Sequence, residues 1–318
     1  MPFDSQQTIV SPTGATVNLY VRWPAGQPRG VVQINHGLAE HAARYARFAD
    51  FLAERGFATY AHDHRGHGFT KATDAPPASF GHGPSADKVV ADVAAVHDRI
   101  AADCPGVPVI AFGHSMGALV TMSFLQRHSD RIAGAAVWNG NFSAGLLGRL
   151  AKAILAWERF RLGSDVPSRV LPKLTFGTWS KQVSDGRTEF DWLSRDHSEV
   201  DRYVADPLCG WNASVGMWRD VFDLVFAGAD DRNFAAVRRD LPINLVGGAK
   251  DPASNMGRAV GDLEKRLGAM GFSNLVSTIY AETRHESLNE VNRNVIMASF
   301  ADWAERTVAG NRNHEHRS

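Results

Sequence analysis

Three side chains in this sequence could together activate a hydroxyl group: Ser115, Asp251 and His285. Ser115 is the centre of Gly113-His-Ser-Met-Gly117. The apolar run Val107-Pro-Val-Ile-Ala-Phe112 before it reads as a buried strand. Ala118 to Arg127 follows with apolar residues at helical spacing. The serine thus sits where a strand turns into a helix, with a glycine two positions to either side. That is the G-x-S-x-G nucleophile elbow. The turn is too tight for side chains at the flanking positions, and glycine bears strained backbone angles at least cost. The helix that follows aims its first N–H groups at the place where negative charge would develop. Chance alone puts the bare pattern in roughly one chain in ten of this length. The assignment therefore depends on the rest of the machinery appearing in the right order.

A serine hydroxyl needs an adjacent base to act as a nucleophile near neutral pH. After an elbow, the partners follow in the order Ser, then Asp or Glu, then His. The chain has 13 histidines, and this order removes most of them. After the apolar run Leu241–Val246 only His285, His314 and His316 remain, and the last two lie in a polar tail. His285 stands just past the last predicted strand, in Glu282-Thr-Arg-His-Glu286. Asp251 stands just past the preceding one, in Gly247-Gly-Ala-Lys-Asp251, before Pro252. Both would emerge at the sheet edge that carries Ser115. Asp251 would then hold the imidazole in the tautomer that accepts the serine proton. Singly, Asp251 reads equally well as a turn residue and His285 as a helix-entry residue. Three roles in order favour a triad. Asp230 and Asp231 are alternative acids, but they precede the strand instead of following it. Acyl transfer also needs donors for an oxyanion. The backbone N–H of Met116 is one candidate. The Leu38 N–H, in His36-Gly-Leu-Ala-Glu-His41, is the other, with Gly37 letting the backbone turn inward. An ordinary strand-to-helix turn would read the same way.

The elements that must position these residues alternate. Thr8–Val10 and Thr16–Arg22 flank Ser11-Pro-Thr-Gly14 and predict a hairpin. Strands are expected over Gly30–Asn35, Phe57–His62, Val107–Phe112, Ala133–Trp138, Leu241–Val246 and Leu275–Tyr280. Helices are expected over Tyr45–Arg55, Ser85–Ala102, Ala118–Arg127, Met256–Met270 and Leu288–Val308. This is the pattern of an α/β fold with a mostly parallel sheet covered on both faces. One stretch breaks the rhythm. Residues 141–238 are too long for a connection and look helical, with Pro167 and Pro172 dividing them. The stretch is rich in aromatics, including Trp157, Phe160, Trp179, Trp192, Trp211, Trp218, Phe222 and Phe226. So many aromatics are expected to be buried against each other and the sheet edge. We therefore expect one domain over residues 1–318, with 141–238 inserted as a cap over Ser115. Trp211 and Trp218 are the candidate substrate-binding residues, with a place in the cap's own core as the alternative.

Composition bounds the rest. The chain has 318 residues, 44% hydrophobic and 21% charged, an ordinary globular balance. Lys+Arg and Asp+Glu both number 34, so no nucleic-acid partner is indicated. Cys104 and Cys209 lack metal-ligand spacing and read as free thiols in a reducing compartment. Met1-Pro-Phe-Asp-Ser-Gln-Gln has no basic start and no apolar core, which predicts no signal peptide and a cytoplasmic location. No apolar run reaches membrane-spanning length. The tail from Gly310, with His314 and His316, is expected to fray.

Taken together, His36-Gly-Leu-Ala-Glu-His41 with Arg44-Tyr45, Asp63-His-Arg-Gly-His-Gly68, the Ser115 elbow, Asp251 and His285-Glu-Ser-Leu-Asn-Glu290 resemble one family. It is the α/β-hydrolase group of monoacylglycerol lipases and bacterial lysophospholipases, often placed with the serine aminopeptidase S33 domain. The resemblance covers roughly residues 30–128 and 241–301, and within the insert little more than Asp206-Pro-Leu208. It implies the α/β-hydrolase fold with a helical cap, a Ser115–Asp251–His285 triad, and an oxyanion hole at Leu38 and Met116. The expected activity is hydrolysis of a small-molecule acyl ester through an acyl-enzyme, with no metal and no cofactor. Transient contact with lipid surfaces is compatible with such a substrate. An amidase or aminopeptidase would use the same triad. A carboxylate-nucleophile enzyme is disfavoured, since a serine stands at the elbow. The oligomeric state is left open.

Overall fold

Antiparallel pairing of β1 (Ser5–Val10) with β2 (Thr16–Arg22) across the turn at Gly14 opens the fold. The structure, a computed structural model, describes residues 3–315, with side chains through residue 310. The side chains of His314 and His316 lie outside those bounds. The following strands are β3 (Gly30–Asn35), β4 (Phe57–His62), β5 (Val109–His114), β6 (Gly134–Trp138), β7 (Ile243–Gly248) and β8 (Leu275–Tyr280). All residues of β3 through β7 are buried, as a parallel sheet covered on both faces requires. The eight strands form one sheet in the order β1-β2-β4-β3-β5-β6-β7-β8. Only β1–β2 and β2–β4 pair antiparallel.

Alternate residues of each strand feed opposite faces. On one face Ile34, Phe112 and Trp138 meet α1 (Ala46–Glu54) and α10 (Arg293–Glu315) through Phe48 and Phe300. Phe112, Trp138 and Phe300 pack with ring centroids 5.0–5.7 Å apart. Full burial of one such side chain stabilises by about 1.5–3 kcal/mol. On the other face Ala111, Val137 and Leu245 meet α2 (Ala86–Asp103), α3 (Met116–His128) and α9 (Arg258–Ala269). The final helix begins later than its apolar spacing suggested, after a short turn at Ser287–Asn289. It also continues to Glu315, through the segment expected to fray.

The register sets up the site. Asn35 pairs with Gly113, His114 with Trp138, Trp138 with Val246, and Gly248 with Tyr280. The C-terminal ends of β3, β5, β6, β7 and β8 are therefore side by side. The segments leaving them carry Leu38, Ser115, Asn139, Asp251 and His285 in a row.

Between β6 and β7 the chain forms α4 (Leu146–Leu162), α5 (Leu171–Leu174), α6 (Phe176–Lys181), α7 (His197–Ala205) and α8 (Val215–Ala229). Pro172 falls in the first turn of α5, where its missing N–H costs nothing. Met217 and Leu224 of α8 join the core beside α3. Phe176, Trp179 and Trp192 pack on one another, with centroids 4.9–5.8 Å apart. The expectation that all the aromatics here are buried fails at two positions. Trp157 is 53% and Phe160 is 90% exposed. Both lie on the face of α4 turned away from α8, which its neighbours leave uncovered.

Candidate active site

Ser115 has φ +56° and ψ −118°, a backbone conformation that side-chain-bearing residues rarely adopt. The sequence pattern suggested that the flanking glycines bear the angular strain. Instead the serine bears it, while the expected lack of room for side chains at the flanking glycines holds. A Cβ on Gly113 would overlap the Gly117 carbonyl, and one on Gly117 would overlap the Asn35 carbonyl. The elbow is thus wedged between its own helix and the end of β3, which lifts the hydroxyl above the sheet.

His285 Nε2 lies 2.8 Å from Ser115 Oγ. Its Nδ1 lies 3.0 Å from both oxygens of Asp251. A carboxylate accepts, so Nδ1 carries the proton and Nε2 is free to accept from the serine. Asp251 is fully buried and also accepts from Asn139 Nδ2 at 3.1 Å and from the Ala253 N–H at 2.9 Å. Burial alone would raise its pKa. Attraction to the His285 ring and the hydrogen bonds outweigh that and hold it below the usual carboxylate value. Asp230 is elsewhere: it caps the turn Asp231–Phe234 and pairs with Arg232.

Gly37 abuts the nucleophile. A Cβ there would stand 3.5 Å from the Ser115 Cβ. Leu38, Ser115 and Met116 line one cavity. Neither the Leu38 N–H nor the Met116 N–H donates to another described residue. Both are therefore available to an oxyanion.

The residue spacing did not reveal what fixes this loop. Glu40 Oε1 accepts the Gly37 N–H at 2.6 Å and the Tyr45 hydroxyl at 2.9 Å. Its other oxygen pairs with Arg44, which also grips Glu286 through two bonds of 2.6 and 2.7 Å. Burial would raise the Glu40 pKa, but Arg44 and the adjoining His114 hold it well below the usual value. Glu286 follows His285, so one buried guanidinium ties the Leu38 loop to the His285 loop. Glu40, Arg44 and Glu286 all stand in the motifs quoted above, but nothing in their spacing shows that they meet. Asn139 was equally hidden. It bridges Asp251 and Ser287, the latter at 3.0 Å.

The cavity has a volume of about 200 Å³ and reaches from Ser115 into the segment between β6 and β7. Leu38, Leu119, Phe176, Trp192, Trp218 and Phe222 are among its walls. Trp218 is therefore at the cavity, and it is also 4% exposed core. Trp211 is not at the cavity, contrary to expectation. It precedes α8, so no helix places it on the Trp218 face. Its indole packs against His67 at 4.7 Å and donates to the Leu208 carbonyl at 3.0 Å.

Among the described residues, His41, Asp206 and Cys209 bring three potential metal donors within 4.8 Å of one another. His41 Nε2 and Asp206 Oδ2 are paired at 2.8 Å, and the group is not part of the cavity wall. It fastens the Leu38 loop to the segment ahead of α8.

Beneath that loop four histidines are buried together: His36, His62, His64 and His67. His36 Nδ1 donates to the Gly37 carbonyl at 2.8 Å, and its Nε2 accepts the His64 N–H at 3.0 Å. Burial pushes the pKa of His36 down to about 4 and those of His62 and His67 to about 3, and lowers His64 too. All four are neutral at pH 7. In the unfolded chain they titrate near 6.5. Below that pH the unfolded state binds protons that the folded state refuses, so stability falls as pH falls from about 6.5 toward 4. The melting temperature is expected to drop steadily from pH 7 to pH 5, and His62→Leu is expected to make that slope shallower. A melting temperature flat across this range would contradict the account.

The model of the family described as serine aminopeptidase, S33, matches residues 26–292. Human monoglyceride lipase is 28% identical over 208 residues, which are 65% of this chain and 61% of the human enzyme. The match thus spans about three fifths of that relative's length. The monoacylglycerol lipase of Mycolicibacterium smegmatis is 26% identical over 302 residues, 94% of this chain and 96% of that one. A thermostable carboxyl esterase from Bacillus coagulans, solved with glycerol, has the same fold. Its TM-score is 0.86 at 21% identity, over 96% of this chain and 98% of the esterase.

Proposed function

The chain belongs to the serine aminopeptidase S33 family of α/β-hydrolases, and from that premise we propose that it hydrolyses carboxylic esters of single-chain acyl lipids, of the monoacylglycerol or lysophospholipid class. The observation that carries this reading is the hydrogen-bonded line Ser115–His285–Asp251 on the wall of an apolar cavity. Ser115 Oγ attacks the ester carbonyl while His285 Nε2 takes its proton. The carbonyl oxygen becomes an oxyanion and accepts from the Leu38 and Met116 N–H groups. His285 returns the proton to the leaving alkoxide, and an acyl group remains on Ser115. Water, deprotonated by the same imidazole, cleaves that acyl-enzyme. Asp251 holds the ring in one tautomer throughout. No step calls for a metal or a cofactor.

The cavity favours one acyl chain. Drug-sized ligands occupy sites of roughly 300–1,000 Å³. A volume of about 200 Å³ with aromatic walls suits a single chain better than two or three. Residues 141–238 act as the cap, since Phe176, Trp192, Trp218 and Phe222 form the wall facing Ser115. Amide cleavage from a free N-terminus is less suited. It needs an unengaged carboxylate for the ammonium, and the two acidic residues at the cavity, Glu40 and Glu286, are both held by Arg44.

A ladder of p-nitrophenyl esters beside aminoacyl anilides tests the reading. Ester turnover is expected throughout, with anilide turnover at background; anilides cleaved faster than esters would overturn it. Each methylene that enters the cavity should raise kcat/KM about fourfold, from about 0.8 kcal/mol of burial, until the chain reaches the end wall. Trp218→Ala should move that plateau to longer chains. Trp211→Ala should leave it in place. A uniform loss in Trp218→Ala, with a lowered melting temperature, would assign Trp218 to the core alone.

A further inference from the structure

Asn139 stands where the segments carrying Ser115, Asp251 and His285 meet. It follows β6, and its φ of +53° lies in the left-handed region. Asparagine enters that region more readily than most residues with a side chain. Its N–H donates to the Val246 carbonyl at 2.7 Å, which anchors it to β7. The carbonyl before it, that of Trp138, accepts the Ser115 N–H at 2.9 Å. Asn139 is buried, and its side chain has two partners. Nδ2 donates to Asp251 Oδ2 at 3.1 Å, and Oδ1 accepts the Ser287 hydroxyl at 3.0 Å. A carboxylate only accepts, so the amide has one orientation here. Ser287 follows His285 by two positions, and its N–H donates to the His285 carbonyl at 3.2 Å. The bonds therefore close a ring through Asn139, Asp251, His285 and Ser287.

We propose that Asn139 is a positioning residue for the hydrolysis: its amide fixes the rotation of the Asp251 carboxylate and ties the segment of the acid to the segment of the base. This rests on the hydrolase reading above. The Ala253 N–H holds Oδ1 of Asp251, and Asn139 holds Oδ2. Loss of the amide frees one side of the carboxylate to turn, since that terminal torsion has broad wells. His285 Nδ1, 3.0 Å from both oxygens, would lose its fixed partner. A neutral amide suits the place. It donates to one neighbour and accepts from the other without adding charge beside Asp251. Direct contact with substrate is the competing role, because Asn139 is also on the cavity wall. The amide speaks against it, since its oxygen is engaged by Ser287 and one of its N–H groups by Asp251.

The experiment compares Asn139→Gly, Asn139→Asp and Ser287→Ala with wild type. The measurements are melting temperature, kcat and KM for a butyryl ester across pH, and the rate of labelling by a fluorophosphonate. Asn139→Gly deletes both side-chain bonds and accepts the left-handed backbone without strain. It should lower kcat and the labelling rate together by about ten- to a hundredfold, the size expected for a hydrogen bond to a charged group, and leave KM within about twofold. Asn139→Asp keeps the shape. While its new carboxyl is protonated, it donates to Asp251 as the amide does. Two carboxylates this close resist ionising together, so the proton is held above the usual carboxylate range. Once it leaves, the donor is gone and a second negative charge stands beside Asp251. The loss of kcat relative to wild type should therefore grow with pH. The ring of His114 is 4.9 Å from that of His285, and Glu40, Arg44 and Glu286 are grouped beside it. These groups keep their partners in every variant, so they cancel in the ratio to wild type. Ser287→Ala removes one bond and should cost about threefold; added to Asn139→Gly it should change almost nothing further. An equal loss at every pH in Asn139→Asp, or a lowered melting temperature with unchanged kcat in Asn139→Gly, would leave Asn139 a residue of the fold alone and overturn the proposal. So would a raised KM with an unchanged labelling rate, which would make it a substrate contact. The two readings fail separately. Wild type that is labelled at Ser115 but cleaves no ester rejects the hydrolase reading alone, and ester turnover that the Asn139 variants leave untouched rejects the positioning role alone.

Discussion

Ser115→Ala is expected to lower turnover by about six orders of magnitude while the protein stays folded. That is roughly 8 kcal/mol of lost transition-state stabilisation. The change removes one oxygen and with it the hydrogen bond to His285 Nε2 at 2.8 Å. It leaves the Cβ, so the wedge against Gly37 is intact, and alanine bears the φ of +56° no worse than serine does. Stability should therefore hardly move, and a melting curve separates lost chemistry from lost fold. What remains would come from the Leu38 and Met116 N–H groups and from substrate binding. A fluorophosphonate should modify the wild type at Ser115 and spare the variant. Near-wild-type turnover in the variant, or the label on another residue, would remove Ser115 from the mechanism.

Much of this site was legible because it depends on order along the chain. Parallel strands bring their C-terminal ends to one edge, so a residue just past a strand can be placed before any contact is known. Ser115, Asp251 and His285 follow β5, β7 and β8 in that sense, and Leu38 follows β3. The supports were not legible, because they depend on which side chains face each other across the edge. Asn139 at the end of β6 looks like any turn residue, yet it is hydrogen-bonded to Asp251. Arg44 stands just before a predicted helix, yet its side chain lies between Glu40 and Glu286, 242 positions apart from the latter. The region between β6 and β7 was the least legible part. Its apolar content implied a packed core, and α8 provides one. Counting aromatics does not reveal which face of α4 has a partner, so Trp157 and Phe160 were wrongly expected inside. The same limit misplaced Trp211. Seven residues before Trp218 puts two side chains on one face only within a helix, and α8 begins at Val215.

Asp251→Asn is expected to cost about four orders of magnitude in turnover. The carboxylate has a full set of donors: His285 Nδ1, Asn139 Nδ2 and the Ala253 N–H. An amide offers one accepting oxygen and one donating nitrogen in the same space. Asn139 donates to one Asp251 oxygen and Ala253 to the other, and His285 Nδ1 is 3.0 Å from both. In either orientation an amide therefore puts its NH2 against one of these two donors, which is left unsatisfied in a fully buried position at about 1–3 kcal/mol. Where the NH2 faces His285 Nδ1, that ring nitrogen must accept, its proton moves to Nε2, and Nε2 donates to Ser115 Oγ instead of receiving from it. The base is then present but in the wrong tautomer. The variant is expected to be folded, inactive and somewhat less stable. Acid dependence adds a second readout. The folded pKa of Asp251 lies below its unfolded value near 3.9, so its contribution to stability is present above that value and lost as pH falls through the folded one. Asp251→Asn should remove that part of the acid sensitivity and leave the histidine part, which begins near pH 6.5. Asp230→Asn is the matched control, since that carboxylate only caps a turn and pairs with Arg232. It should retain turnover within about twofold, as surface changes usually do. Damage from Asp230→Asn together with a harmless Asp251→Asn would mean that a different acid orients His285.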